Sequence, residues 1–340
     1  MKKLNVALVF TVSFGFAALS SAGVTYKVSG KVSIDGNTGW DYLTVDSEGR
    51  RLYIAHGDKV DVVDVDTEKV VGSISGLTGV HGVAIATSSG MGFISDGRAD
   101  HVTRFDLTSL RKTGDMPTGK NPDAILFDPA TSRVFAFNGK SQDTTILDAN
   151  AGSVLKTLPL PGKPEFATAD GAGSVYVNIE DKNSVVRIDS NAMKVEETWA
   201  LPGCEEPSGM AQDTANHRLF IGCGNKTMVV VNAQTGNVIA TLPIGDHVDA
   251  TAFDPGTKLV FNSNGDGSLT VIQEDSADQF RVIQTVSTQR GARTMAVDPK
   301  THDVFLVTAK FGAVPKPTDA TPRPRPAIIP GTFTLLVLKK

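Results

Sequence analysis

A unit of about 40 residues recurs along this chain, and a repeat of that length built from four short β-branched runs leaves few architectures open. Leu43-Thr-Val-Asp46, Arg51-Leu-Tyr-Ile-Ala55, Val60-Asp-Val-Val-Asp-Val65 and Val70-Val-Gly-Ser-Ile74 form one unit. The same order returns at Ile125–Asp128, Arg133–Phe137, Thr144–Asp148 and Val154–Leu158, and again at Met210–Asp213, Arg218–Ile221, Met228–Asn232 and Val238–Leu242. The marker of the second run falls at Tyr53, Phe93, Phe135, Tyr176, Phe220, Val260 and Phe305, with gaps of 40, 42, 41, 44, 40 and 45 residues. Turn chemistry separates the runs, with Asp128, Asp254 and Asp298 opening the clearest turns after the first one. Two-residue periodicity without a sustained helical pattern predicts an all-β fold, a seven-bladed β-propeller of four-stranded, WD40-like blades.

The ends of the chain predict how the ring closes. The seventh unit supplies runs at 294–298, 303–308 and 332–338 and then stops, one strand short. Tyr26–Ile34 resembles Lys69–Ile74 and precedes the first full unit, so the N-terminal strand is expected to complete the last blade and remove the open edges at the seam.

Ahead of that strand, Lys2 and Lys3 precede an apolar stretch from Leu4 to Leu19, followed by Ser20-Ser21-Ala22. This is the anatomy of a secretory signal peptide over residues 1–22, with cleavage near Ala22 and a single propeller domain over 23–340. The stretch is short and weakly apolar for a membrane anchor, and no second one follows. The expected compartment is the periplasm or the exterior. Losing Lys2 and Lys3 from 33 basic residues leaves 31 against 37 acidic ones, a formal charge of −6, which disfavours a nucleic-acid partner. In an oxidising compartment Cys204 and Cys223, at the two ends of one predicted hairpin, are expected to form a disulfide.

With Leu52-Tyr-Ile-Ala55 and Val175-Tyr-Val-Asn178 at the positions of the name-giving tetrapeptide, the chain resembles the YVTN-repeat, YncE-like propellers of bacterial envelopes over essentially its whole mature length. The resemblance implies the propeller fold and an envelope location. Some relatives are implicated in nucleic-acid binding, and others sit beside metal-transport or quinoprotein systems.

Function is expected where the loops entering the first strands and leaving the second strands share one face. Trp40, Asp41, His81, Asp123, Glu165, Asp249, Arg290 and Arg293 enter the inner strands and are the candidate ligand-binding residues of this channel mouth. Asp41, Asp123, Glu165 and Asp249 hold one equivalent position in four blades, a ring of like charge that a cation would relieve. Carboxylates with the amides of Asn138 and Asn178, at the ends of second strands, form an oxygen set for Ca²⁺ or Mg²⁺. Adding His56 or His81 turns the set toward Zn²⁺ or Cu²⁺, so a divalent metal (Ca, Zn or Cu) is the candidate cofactor. The competing reading is that these Asp residues only satisfy backbone groups of the next blade.

His217 and His302 read as surface turn residues, and no short-range metal motif links His56, His81 and His247. A Pro-rich insert over 312–331 interrupts the last blade on the mouth face. No nucleophile elbow, phosphate loop, dinucleotide fingerprint, haem motif or EF-hand loop occurs. The expected function is therefore a non-catalytic binding protein for a small molecule, a metal ion or an envelope protein. The alternatives are a metal-dependent lactonase or lyase built on Glu165, Asn138, Asn178 and Asp249, and single-stranded nucleic-acid binding.

Overall fold

The structure, a computed structural model, describes residues 25–316, 318, 324 and 326–340; the expected signal peptide lies outside them, as do Arg323 and Arg325 of the Pro-rich insert. Seven four-stranded antiparallel sheets form a β-propeller. Blade 1 runs Leu43–Asp46, Arg51–His56, Lys59–Asp64 and Lys69–Ile74, and blades 2 to 6 repeat this order from Val80, Pro122, Pro164, Pro207 and Val248. Blade 7 holds Met295–Val297, Val304–Thr308 and Thr334–Lys339, and its outer strand is Lys27–Ser33, paired antiparallel with Thr334–Lys339. The expected closure is what is observed.

Burial explains the sequence pattern. Second strands such as Arg51–His56 are sandwiched between neighbouring blades, so they read as continuous apolar runs rather than alternating ones. Tyr53, Val60 and Val62 of blade 1 pack on Val80, Val83 and Ile94 of blade 2, and equivalent clusters fill the other interfaces. Outer strands face water, and Ser153–Pro159 is exposed at six of its seven residues.

The turns after the first strands follow one rule. Asp128 Oδ1 accepts from Ala130 N at 3.1 Å while Oδ2 accepts from Thr131 Oγ1 at 2.7 Å. Asp254 and Asp298 hold the same contacts with the residues two and three positions on. Four residues after each Asp, Ser132, Lys258 and His302 adopt left-handed φ values of 54°, 55° and 65°, as this hairpin geometry requires. Asp128, Asp254 and Asp298 also reach the adjoining blade, at Ser190, His302 and Arg50 respectively. These acids are structural. His217 and His302 are turn residues, as expected.

Beside one such turn a buried acid pair has a thermodynamic consequence. Glu274, 1% exposed, shares the Asn216 amide with Asp213, and its Oε2 has no partner. Burial first, and then the Asp213 charge, push its carboxyl up to about 7. Between its ordinary value and that one the folded state holds the extra proton, so stability falls as pH rises from about 4.5 to 7. Glu274→Gln is expected to stabilise the chain at pH 8 by up to roughly 3 kcal/mol and to change little at pH 4.5, read from chemical denaturation at both pH values.

Cys204 and Cys223 are disulfide-bonded with their Cα atoms 5.4 Å apart. The bridge agrees with an extracytoplasmic, oxidising setting. Among the described residues no helix is long and apolar enough to cross a membrane. The disulfide spans 19 positions and pins the loop that delivers Pro207 to the start of blade 5. Replacing both cysteines by serine is expected to cost on the order of 3 kcal/mol in denaturant unfolding, a loss that reductant reproduces in the wild type.

Candidate cation site at the channel mouth

One residue per blade projects at the same step of the inner strand: Asp41, His81, Asp123, Glu165, Ser208, Asp249 and Arg293. In blades 2 to 6 the pairing with the second strand shifts register across this position, between Val80 and Val83, Pro122 and Ile125, Pro164 and Ala167, Pro207 and Met210, and Val248 and Ala250. A bulge frees the residue from the ladder and re-aims its side chain. Two residues earlier, Asn121, Glu206, His247 and Gly291 are left-handed, with φ of 57°, 49°, 57° and 83°. Proline precedes the bulge residue in blades 3, 4 and 5, where its missing N–H costs no ladder bond.

The geometry converges on blades 1 to 3. His81 Nδ1 lies 2.6 Å from Asp41 Oδ2 and 3.5 Å from Asp123 Oδ1. One ligand atom from each of the three falls within 4.8 Å of the others, a spacing that a single metal ion spans. Further round, Lys163 Nζ contacts Glu165 Oε1 at 2.6 Å and also pairs with Glu180. Ser208 Oγ donates to Asp249 at 3.2 Å, and Arg293 Nε contacts Asp249 Oδ2 at 3.1 Å. The side chains of Asp41, His81, Asp123, Glu165 and Asp249 retain between 13% and 26% of their surface, enough to meet a solute while protein surrounds them.

The charges bear on one another. Burial first, then neighbouring acids, push Asp123 up to about 6 and Glu165 up to about 8. Asp41 and Asp249 are raised for the same leading reason, although His81 and Arg293 oppose the rise. Burial alone would lower His81, but the Asp41 hydrogen bond with the Asp123 and Glu165 charges overrides it and lifts the imidazole to about 9. At neutral pH His81 is therefore a cation held between two carboxylates. Five carboxylates, with Glu180 included, face three cationic groups, His81, Lys163 and Arg293. Glu165, at about 8, keeps its proton at neutral pH, which leaves four acidic groups facing these three cationic ones.

Directly below the ring, Tyr42 of blade 1 and Phe166 of blade 4 meet across the channel with ring centroids 4.3 Å apart. Burial first, and then the charges of Asp123, Glu165, Asp41 and Asp249, hold the Tyr42 phenol well above its ordinary value.

Several sequence-predicted residues are placed elsewhere. His56 is fully buried, with Nδ1 2.7 Å from Asp61 Oδ2 and its ring 3.9 Å from that of Phe333. Asn138 donates to Asp143 at 2.6 Å and to Thr145 at 3.0 Å within its own blade. Asn178 donates to the Ser208 carbonyl at 2.7 Å, stapling blade 4 to blade 5. Second-strand ends lie inside the blade stack, where the Nδ2 groups of Asn138 and Asn178 and the Nδ1 of His56 are bonded while Asn138 Oδ1, Asn178 Oδ1 and His56 Nε2 are buried without a partner. Trp40 packs on Phe311 and Phe333 of blade 7. Arg290 is exposed, three residues before the ring position that Arg293 takes. His247, in the left-handed step before Asp249, is 80% exposed. Sequence reasoning missed Lys163 and Tyr42; the signal was a lysine two positions before Glu165 and an aromatic directly after Asp41.

No protein-family model and no curated protein matches the chain. Among solved structures it is similar to a chain of the hydrazine synthase of Kuenenia stuttgartiensis, at 14% identity and a TM-score of 0.71, covering 80% of this chain and 94% of that one. It is also similar to a chain of the mitotic checkpoint complex, at 14% identity and a TM-score of 0.72, over 99% of each chain. At that identity the likeness shows the β-propeller fold alone. The architecture expected from the YVTN-repeat resemblance is observed, and no family match bears on the family itself.

Proposed function

We propose that the chain is an exported, non-catalytic binding protein that captures a cation at its channel mouth, with Asp41, His81 and Asp123 as the ligand set for one divalent metal ion. The convergence of these three side chains from three successive blades carries this reading. Two carboxylates and an imidazole suit Zn²⁺ better than Ca²⁺, which prefers oxygen alone. Export rests on the signal-like residues 1–22 and agrees with the Cys204–Cys223 bridge; the periplasm or the exterior is the compartment that follows. The lactonase-type alternative counts Asn138 and Asn178 among its ligands, and both are fully buried within the blade stack with Nδ2 bonded to Asp143 and to the Ser208 carbonyl.

The test is calorimetric titration of the chelator-stripped chain with Zn²⁺ and Ca²⁺ at pH 7 in buffers of different ionisation enthalpy. A protonated His81 must give up its proton to ligate, so Zn²⁺ is expected to bind with release of about one proton, and more tightly as pH rises toward 9. Ca²⁺ is expected to bind weakly. Absence of any Zn²⁺ heat, or Zn²⁺ binding unchanged in His81→Ala, sinks the assignment.

A further inference from the structure

Beneath the ring the channel opens into a cavity of about 210 Å³. Its wall is formed by residues that follow the ring positions in blades 1 to 5, among them Val83, Ile125, Ala167 and Met210, with the Tyr42 and Phe166 rings at its rim. The Thr44 hydroxyl in this wall is already spent on the Val83 carbonyl at 2.7 Å. A bare metal ion held by Asp41, His81 and Asp123 would leave this chamber unused. Its volume exceeds the roughly 150 Å³ that accepts a benzene ring in an apolar protein cavity.

Acidic side chains above, two aromatic rings in the wall and a chamber of mixed lining, with Val83, Ile125 and Met210 as its apolar part, are features that recognise an organic ammonium. Carboxylates pair with the charged head, ring faces attract it through their quadrupole, and the chamber removes its apolar body from water. We propose that the mouth and chamber together bind a small organic ammonium. Its head sits at Asp41 and Asp123, and a body of about one six-membered ring lies in the chamber against Tyr42 and Phe166. This rests on the mouth being a cation site and adds the class of guest. Lys163 and Arg293 are occupied by Glu165 and Asp249, while Asp41 and Asp123 share the single His81 imidazole, so two acids face one cation on the blade 1 to 3 side.

Benzylamine is the probe, with benzyl alcohol as its neutral isostere, titrated into the chelator-stripped full chain at pH 7 and followed by calorimetry. Benzylamine is expected to bind with Kd of about 1 mM or tighter, and the alcohol at least about tenfold more weakly, since only the amine pairs with the carboxylates. Zn²⁺ added first should weaken the amine, because both need Asp41 and Asp123. Ala167→Leu narrows the chamber and should weaken benzylamine while leaving Zn²⁺ binding unchanged; Ala124→Val serves if that variant fails to fold. Zn²⁺ binding without amine binding overturns this inference and leaves the metal reading standing. Amine binding without Zn²⁺ binding supports it and removes the metal. Equal affinity for amine and alcohol, an amine indifferent to Zn²⁺ that itself binds, or both chamber variants binding the amine as the wild type does, also overturns it.

Discussion

Tyr26→Ala is expected to destabilise the propeller by about 3–5 kcal/mol, and deletion of residues 25–34 to prevent a stable ring from forming. The reason lies in what one side chain ties together. Tyr26 is 1% exposed, and its ring meets Phe261 of blade 6 edge-on at 5.1 Å. Its hydroxyl donates to the His302 carbonyl of blade 7 at 2.9 Å. Its backbone N–H and carbonyl exchange hydrogen bonds of 2.8 Å with the Gln284 amide of blade 6. Truncation therefore leaves a cavity and removes the partner of the His302 carbonyl, while the backbone bonds to Gln284 remain. Without Lys27–Ser33, the Thr334–Lys339 strand would present a bare edge. Thermal melts should show a fall on the order of 10 °C for Tyr26→Ala, and almost none for Lys31→Ala on the exposed side of the same strand. A Tyr26→Ala melt matching the wild type would mean that the seam is held by something else.

Asp123→Asn is expected to do two opposite things: weaken Zn²⁺ by at least about 100-fold and raise the stability of the metal-free protein. The second effect follows from the ring's charge. Asp123 at about 6 and Glu165 at about 8 both titrate above their ordinary values. Across those intervals the folded state binds more protons than the unfolded one, so stability falls as pH rises. His81 acts in the same direction: its contribution is fully present below about 6.5 and lost as pH rises through about 9. The metal-free wild type should thus be most stable near pH 5 and weaken steadily to pH 9. Asp123→Asn and Glu165→Gln should each flatten that slope, measured by urea midpoints across the range. A residue that only supported the fold would lose stability on substitution; these should gain it.

The ring was legible in the sequence for a physical reason. Its position recurs at one step of every inner strand, and the approach to it is marked by proline or by residues that tolerate the left-handed conformation, such as Asn121 and Gly291. Asp41, Asp123, Glu165 and Asp249 could be grouped from spacing alone, although the pairing of His81 with Asp41 and Asp123 could not. Spacing gives the blade and the height, but it does not give the depth in the stack. That is why His56, Asn138 and Asn178 were drawn toward the mouth when each is buried between strands and bonded to Asp61, Asp143 and Ser208. Trp40 was misplaced for a related reason: it lies one step from a ring position and packs on Phe333. The Tyr42–Phe166 contact joins blades that are not neighbours, and nothing in a local repeat announces such a pair.

The most direct test of the cation site is elemental analysis of the protein expressed from the full sequence, residues 1–22 included, and purified without chelator. The wild type is expected to retain about one equivalent of a divalent transition ion, with Zn²⁺ favoured by the donor set, and His81→Ala and Asp123→Ala to retain none while remaining folded. A wild type free of metal, or variants that keep as much as it does, would contradict the account.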